Sequence, residues 1–383
     1  MNKRALVFLC GITIFHISHA QSTVTLYGLI DVGILFNNNS AGAKQYVMSS
    51  GNQQGSRWGL RVVEDLGSGL STVAVLENGF STATGTLLQG GDEFGRQAYV
   101  GISSSNYGTL TFGRQYDSVL DYVSQFASSW QFATAYGGHP GDLDNMLSNR
   151  VNNAIKFRSA LYSGFSFDAL YSLGGKAGQF NRNQIYSVGA GYTNGPVALG
   201  VGYVNAQDPN YSYWGNNALS STTGTNMGGS LVFSGYASAK TQQNLALGGS
   251  YAIGLVTVAA QYTNVQFNKI GSEPGLPATG ASGSAKFNTA ELNIRYLITP
   301  ALLVGLSYAL TKGYDVNHST YQQSNVGIDY FLSKRTDLYL VGIYQHASGV
   351  DSTGKTARAN IELLSPSSNS NQLAALAGIR FKF

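Results

Sequence analysis

The sequence has 383 residues, a formal charge of +4 and only 11% charged residues, against about 25% in an ordinary soluble domain. So small a charge excess gives no support to a nucleic-acid partner. The mean hydropathy is −0.05, yet no stretch beyond residue 20 approaches the ~20 consecutive apolar residues that a membrane helix requires. Such a composition is typical of a chain whose apolar residues occupy every second position.

The first twenty residues have the pattern of a secretory signal peptide. Lys3 and Arg4 precede an apolar core, and small residues follow it, so cleavage is predicted before Gln21. The leader, 1–20, also contains Cys10, the only cysteine of the chain. The mature domain, 21–383, is therefore predicted to be exported but free of disulfides. Without Lys3 and Arg4 it carries 21 basic and 19 acidic residues, a formal charge of +2.

After the leader, short segments of alternating apolar and polar residues follow one another through the chain. In the first, Val24, Leu26 and Val32 share one face, whereas Thr25 and Asp31 share the other. This period of two residues is typical of strands with one apolar and one polar face. About sixteen strands are predicted, near residues 23–36, 55–65, 70–80, 94–103, 108–116, 151–159, 165–174, 183–193, 196–206, 242–253, 255–268, 287–298, 301–313, 319–333, 336–347 and 372–383.

The connections between these strands alternate between short and long. Short turns are predicted at 65–69, 104–107, 160–164, 194–195, 254, 299–300 and 334–335. Longer polar segments lie between them, at 37–54, 81–93, 117–150, 175–182, 207–241, 269–286, 314–318 and 348–371. In an antiparallel up-and-down barrel this alternation places the short turns at one end and the long loops at the other, as in outer-membrane barrels. A soluble β-sandwich or β-helix is the alternative, but it would show charge outside and would not need one-sided loops.

Two further segments are informative. The segment 117–150 does not alternate, contains several aspartates and ends on Arg150, and an unstructured connection of this length is usually functional or disordered. The last strand alternates apolar residues with Arg380 and Lys382 and stops on Phe383. A terminal aromatic residue resembles the signal by which outer-membrane proteins reach their assembly machinery.

The chain resembles the general Gram-negative porins of the β-proteobacterial type. The stretches that carry the resemblance are VTLYGLIDVGI (24–34), SRWGLRVVEDLGSGL (56–70), RQAYVGI (96–102), GTLTFGRQYDS (108–118), NRVNNAIKF (149–157) and GIRFKF (378–383). The resemblance implies an all-β, sixteen-stranded transmembrane antiparallel barrel. It also implies a homotrimer, surrounded by outer-membrane lipids, whose third external loop folds into the pore.

The resemblance places the pore constriction at a basic wall formed by Arg57, Arg96 and Arg150. The acids expected to oppose it on the constriction loop are Asp117 and Asp121, and the same segment supplies Asp142 and Asp144. Further basic residues expected on the lumen wall are Arg61, Arg114, Lys156 and Arg158. An alternative explanation is that strand arginines face the lumen only because the lipid face rejects them, at a cost of ~2–4 kcal/mol near the midplane.

These features predict a passive diffusion channel for small hydrophilic solutes, with a mild preference for anions because the wall arginines outnumber the fixed acids. A basic wall that faces an acidic loop would also create a field across the gap. A substrate-specific channel for sugars or organic acids, and an outer-membrane enzyme or adhesin, are the alternatives. No catalytic triad, metal site or cofactor is predicted. Tyr122, Trp130 and Phe132 are expected to pack against the wall rather than to contact solutes.

Overall fold

The computed structural model describes residues 22–147, 149–212, 226–273, 276 and 282–383. The predicted signal peptide, 1–20, lies outside this part of the chain, so its cleavage before Gln21 stays a prediction. Within the expected mature domain, the described residues form one sheet of seventeen strands in which all paired strands are antiparallel.

Most of the regular structure in the described residues is β-strand. The strands are β1 (Ser22–Ser40), β2 (Ala43–Ser50), β3 (Arg57–Gly67), β4 (Leu70–Gly79), β5 (Gln97–Ser104), β6 (Gly108–Gln115), β7 (Val151–Ser159), β8 (Phe165–Ser172), β9 (Ile185–Asn194), β10 (Val197–Gln207), β11 (Thr241–Ile253), β12 (Val256–Ile270), β13 (Gly283–Thr299), β14 (Leu302–Asp315), β15 (Thr320–Phe331), β16 (Thr336–Ser348) and β17 (Asn371–Lys382). Two short helices are α1 (Ser118–Tyr122) and α2 (Ser128–Gln131), and single 3-10 turns lie at Gln89–Gly91, Ser124–Phe126, Ala135–Gly137, Pro140–Asp142 and Ser234–Tyr236. Among the described residues, no helix is long and apolar enough to cross a membrane.

The sheet closes on itself because the long strand β1 pairs on both of its edges. On one edge its first half pairs with β3 and its second half with β2. On the other edge β1 pairs with β17, from Leu29 opposite Lys382 to Asn37 opposite Ala374. Since β2 and β3 lie one after the other along the same edge, the seventeen strands occupy sixteen positions around a closed barrel. The predicted fold class is confirmed.

The strand β2 was not predicted, and the expectation of a loop over 37–54 is wrong. The first strand continues to Ser40 and turns back, and most of β2 is exposed on both faces. A strand without a buried face carries no alternating pattern, so no local pattern predicts it. Between β2 and β3 the chain bends where the backbone N–H groups of Gln53 and Gln54 donate to the Asp31 carboxylate, at 2.7 and 2.9 Å.

The barrel is apolar outside and polar inside. On β15, for example, Asn325 and Asp329 are 1% and 3% exposed, whereas Val326 and Ile328 are 48% and 39% exposed. This arrangement is the reverse of a soluble β-sandwich, and it is the one expected of a barrel whose outer face contacts lipid. The soluble alternative is therefore rejected.

The two ends of the barrel differ as the sequence predicted. At one end the connections contain no more than five residues, and we call it the short-turn end. The other is the long-loop end, where the connection between β6 and β7 spans 116–150. The chain finishes at the short-turn end. There the Phe383 N–H donates to the Gly28 carbonyl at 3.0 Å and the Gly28 N–H donates to the Phe383 carbonyl at 3.2 Å. The last residue thus extends the seam that closes the barrel.

Candidate functional site

The connection between β6 and β7, residues 116–150, lies inside the barrel, and we call it the lumen loop. The Ser128 N–H donates to the Glu291 side chain on β13 at 2.7 Å. Asn325 on β15 donates through Nδ2 to the Gly137 carbonyl at 3.1 Å. Both wall residues belong to the inner face, and their strands are far from β6 and β7 in the strand order. The loop therefore crosses the lumen and contacts the opposite wall.

Glycines on the inner wall make room for this loop. A Cβ at Gly191 on β9 would lie 2.6 Å from Cδ1 of Tyr122, and a Cβ at Gly305 on β14 would lie 2.3 Å from Cδ1 of Phe132. Any larger residue at these positions would push the loop away from the wall. Tyr122 and Phe132 thus pack against the barrel, as expected from the sequence.

The buried side chain of His139 connects the lumen loop to the opposite wall. Its Nδ1 lies 2.6 Å from Oδ2 of Asp144 in the same loop, and its Nε2 lies 3.1 Å from Oε2 of Glu291 on β13. We call His139, Asp144 and Glu291 the wall latch; each side chain is at most 1% exposed. Burial alone would lower the pKa of His139, but the two carboxylates raise it to about 10. At neutral pH the imidazolium can donate a hydrogen bond to each of them.

The wall latch should make the stability of the protein depend on pH. Asp144 and Glu291 contact His139, and Asp142 and Glu362 act on Asp144 through charge. Because the pKa of His139 rises from 6.5 to about 10, its stabilising contribution is complete below 6.5 and is lost as the pH rises through about 10. We expect the heat-unfolding midpoint to fall across this window, and to fall less in His139→Gln. Parallel curves for the two proteins would contradict the assignment.

Most of the aspartates of the lumen loop serve its own structure. Asp117 is fully buried and caps α1, since its Oδ1 accepts the N–H groups of Val119 and Leu120 at 2.7 and 3.2 Å. Burial raises the pKa of Asp117 to about 7. The expectation that Asp117 faces the gap is wrong. Asp142 is likewise turned into the loop, and Asp144 belongs to the wall latch.

The three predicted arginines meet around one tyrosine and one glutamate, and we call these five residues the arginine cluster. Nη2 of Arg96 and Nη2 of Arg150 donate to the Tyr116 hydroxyl at 3.0 and 2.9 Å. Nε of Arg96 lies 2.7 Å from the Glu77 carboxylate, and Nε of Arg57 lies 3.7 Å from it. Three guanidinium groups against one carboxylate give the cluster a formal charge of +2.

The register of the sheet brings this cluster together. Glu77 on β4 lies opposite Gly59 on β3 and Gln97 on β5. Arg57 is two residues before Gly59 and so shares its inner face. The Arg96 N–H donates to the Glu77 carbonyl at 3.1 Å, which extends the pairing of β4 and β5 by one residue. The acid thus lies between the two arginines on the wall itself, and the loop acids do not oppose them.

Arg150 is the arginine of the cluster whose buried hydrogen-bond donors are not all paired within the described part of the chain. It is 1% exposed, and its guanidinium carbon lies 5.0 Å from the centroid of the Tyr116 ring. Its Nε and Nη1 have no hydrogen-bond partner within the described part of the chain. Burial lowers the pKa of Arg150 to about 10, so the group remains charged at neutral pH. Buried donors without partners are costly, and an acceptor from solution would relieve that cost.

A second group of charges lies nearer the short-turn end. Lys156 hydrogen-bonds through Nζ to Asp121 of the lumen loop, and it lies 3.3 Å from the Asp168 carboxylate. Nη1 of Arg158 lies 3.7 Å from the Asp121 carboxylate, and Arg61 lines the same cavity. Asp121 therefore faces Lys156 and Arg158 on the wall, and not the arginine cluster that it was expected to oppose.

Two cavities lie along the wall that carries these charges. One, of about 250 Å³, lies toward the short-turn end and is lined by Tyr116 and the second charge group. The other, of about 350 Å³, lies toward the long-loop end and is lined by Arg57, Arg96 and residues of three long connections. Arg114 lines neither cavity, because its Nε donates to the Gly95 carbonyl at 2.8 Å and its Nη1 hydrogen-bonds to Asn152. A solute that passes between the cavities would meet the arginine cluster.

Sequence reasoning missed four residues that organise this site: Glu77, Tyr116, His139 and Glu291. Glu77 and Glu291 are each the lone acid on the inner face of a strand, and the alternating pattern alone predicts that they point toward the lumen. Nothing local in the sequence marks Tyr116 or His139. Among the residues that the structure describes, no group of three or more His, Cys, Asp or Glu side chains could hold a metal ion.

Comparisons with known proteins agree with this architecture. The model of the Gram-negative porin family matches residues 5–349. An outer membrane porin protein of Bordetella pertussis is 29% identical, over 85% of this chain and 90% of the relative. An anion-selective porin from Comamonas acidovorans is 22% identical with a TM-score of 0.74, over 95% of this chain and 100% of that one. The trimer form of OmpT from Vibrio cholerae is 16% identical with a TM-score of 0.62, over 94% and 99% of the two chains.

Proposed function

The chain belongs to the Gram-negative porin family, and we propose that its arginine cluster gives this outer-membrane diffusion channel a mild preference for anions. Small hydrophilic solutes and ions would pass through the barrel, between the lumen loop and the wall that carries the cluster. The short-turn end then faces the periplasm and the long-loop end faces the outside, with membrane lipids around the apolar band. Passage through such a channel involves no catalytic step.

The observation that carries the preference is the formal charge of +2 on the arginine cluster. Arg150 contributes its charge to this total, although its two donors without a partner among the described residues are themselves buried. Apolar barrel walls focus the field of these charges into the narrow water-filled gap, which raises the local concentration of anions. An anion-selective porin among the similar solved structures is in keeping with this proposal.

The decisive test is the reversal potential of the purified protein in a planar bilayer under a gradient of potassium chloride. The expected sign is that of a channel more permeable to chloride than to potassium. Clear cation selectivity would overturn the charge argument. A folded protein that does not conduct at all would overturn the channel itself.

Replacing Glu77 by glutamine is expected to strengthen the anion preference, because the formal charge of the cluster rises from +2 to +3. One unit charge at 4 Å contributes about 1 kcal/mol even in a water-like dielectric, so the chloride-to-potassium permeability ratio should rise on the order of fivefold. The amide can still accept a hydrogen bond from Arg96. Glu64→Gln, on β3 and outside the cluster, is the matched control. An equal ratio in both variants would exclude Glu77 as a determinant of selectivity.

We further propose that three copies of the chain assemble into a trimer, as the similar Vibrio cholerae protein does in its trimer form. The apolar outer face of the barrel can be covered either by lipid or by a neighbouring copy of the chain. Gel electrophoresis of unheated and heated samples tests this directly. A heat-sensitive band at three times the mass of the chain is expected, and a monomer at every protein concentration would rule the trimer out.

We also propose that Phe383 is read by the outer-membrane assembly machinery. Its side chain is 41% exposed, on the same outer face as Phe381, which is 42% exposed. Phe383→Ala should lower the yield of folded protein in the outer membrane several-fold, because the terminal aromatic group is lost. Phe381→Ala removes a neighbouring ring, at 6.3 Å between centroids, and is the control. If both variants lowered the yield equally, Phe383 would contribute packing and no specific signal.

A further inference from the structure

The cavity on the long-loop side of the arginine cluster has walls of two different kinds, and we call it the vestibule. Its volume is about 350 Å³, which lies within the range of small-molecule sites. Arg57 and Arg96 stand on one side of it. The remaining lining residues include four large apolar side chains from three connections, beside glutamines, serines and glycines. The apolar ones are Leu88, Trp130, Leu147 and Leu363.

The apolar wall is held in place by the lumen loop. Trp130 lies in α2, and its Nε1 donates to the Met146 carbonyl in the same loop. This bond satisfies the only polar atom of the indole, so the ring presents a flat apolar surface. Leu147 comes from the loop as well, whereas Leu363 comes from the connection between β16 and β17.

The cationic wall leaves one guanidinium group accessible. The side chain of Arg57 is 20% exposed, twice the 10% of Arg96. Arg57 is also the more weakly paired, since its Nε lies 3.7 Å from Glu77 whereas the Nε of Arg96 lies 2.7 Å from it. Its Nη1 donates to the Gly55 carbonyl at 3.2 Å, which fixes the group at the edge of the vestibule. A carboxylate that enters the vestibule would therefore meet Arg57 first.

We propose that the vestibule binds small aromatic carboxylates on their way to the constriction. The carboxylate would pair with Arg57, since guanidinium groups bind carboxylates through charge-assisted hydrogen bonds, and the charge of Arg96 behind it would add to the attraction. The aromatic ring would lie against Trp130 and the leucines, where its apolar surface leaves water. This inference rests on the proposed channel function and adds to it a class of preferred solute.

Other solute classes match the vestibule less well. A sugar has no charge for the arginines and little apolar surface for the leucines. Chloride and acetate can use the arginines but leave the apolar wall in contact with water. The cavity that Tyr116 lines matches an entering carboxylate less well, because it also holds the Asp121 carboxylate, which pairs with Lys156 and Arg158.

The test is block of chloride current through the full-length protein in a planar bilayer, with three probes. Benzoate carries both the ring and the charge, acetate carries the charge alone, and benzyl alcohol carries the ring alone. We expect benzoate to reduce the current in a saturable way, with half-block at a concentration at least tenfold below that of acetate. Benzyl alcohol should not block at that concentration. Equal block by benzoate and acetate would overturn the inference while leaving an anion-preferring channel in place.

A variant locates the site. Trp130→Ala should raise the half-blocking concentration of benzoate at least fivefold relative to that of acetate. Trp58→Leu is the matched control, because Trp58 on β3 does not line the vestibule. Benzoate and acetate should block this variant at the same concentrations as they block the natural protein. An unchanged ratio in Trp130→Ala would overturn the proposed site. The comparison of probes on the natural protein needs no variant, so it decides the proposal even if Trp130→Ala fails to fold. A protein that passes no chloride current would instead contradict the channel function.

Discussion

Replacing both Arg57 and Arg96 by glutamate is expected to reverse the ion selectivity of the channel from anions to cations. The formal charge of the arginine cluster changes from +2 to −2, since only Arg150 then remains against three carboxylates. Each unit charge contributes about 1 kcal/mol at 4 Å in a water-like dielectric, and more beside an apolar wall. Four units should therefore change the chloride-to-potassium permeability ratio by at least two orders of magnitude. The sign of the reversal potential under a salt gradient measures the effect.

A second variant with the same change in total charge serves as the control. Lys334 and Arg335 lie exposed in the turn between β15 and β16, far from the lumen loop. Lys334→Glu/Arg335→Glu should keep the original selectivity, because salt screens exposed charges beyond about 10 Å. If both double variants changed selectivity to the same extent, the net charge of the protein would control ion passage and the cluster would have no special role. Heat-modified gel mobility checks that each variant has folded.

The strands and the direction of the loops could be predicted because both depend on local patterns. A strand that separates lipid from water must alternate, and this alternation is written in each strand separately. Where neither face of a strand is buried, as over most of β2, the alternation disappears and the sequence does not predict the strand. The long-range closure of β1 on β17 needed no separate signal, since strands can pair all their backbone groups in a membrane only by closing into a barrel without edges.

The site was only half predictable, and the reason lies in what each residue contacts. Arg57, Arg96 and Arg150 came from the resemblance and do lie together. The pairing of Arg57 and Arg96 with Glu77 depends on the register of three strands, which no local pattern specifies. Conversely, the error at Asp117 was avoidable. An aspartate directly before a run such as Ser118-Val119-Leu120 is a common helix cap, and a capping acid turns toward the backbone and away from the solvent.

His139→Ala is expected to release the lumen loop from the opposite wall and to raise the single-channel conductance and its noise. The substitution leaves Asp144 and Glu291 as buried carboxylates without a cationic partner. Breaking a buried ion pair in this way typically costs about 3–5 kcal/mol, and moving the loop into water relieves the cost. Because the loop narrows the lumen, its displacement should widen the path. Conductance recordings at neutral pH measure this, and His346→Ala, at the exposed rim of β16, is the control.

Removing all three charges of the wall latch distinguishes the effect of unpaired buried carboxylates from the effect of losing the contacts of the His139 ring. In the triple variant His139→Leu, Asp144→Asn, Glu291→Gln the latch itself carries no charge, and a buried ion group replaced by neutral residues of similar size is often nearly as stable. Conductance should then return toward that of the natural protein, even though the histidine is absent. If the triple variant conducted like His139→Ala, the imidazole would hold the loop by its shape and contacts. If His139→Ala conducted like the natural protein, the packing of Phe132 and Tyr122 against the wall would be sufficient to keep the loop in the lumen.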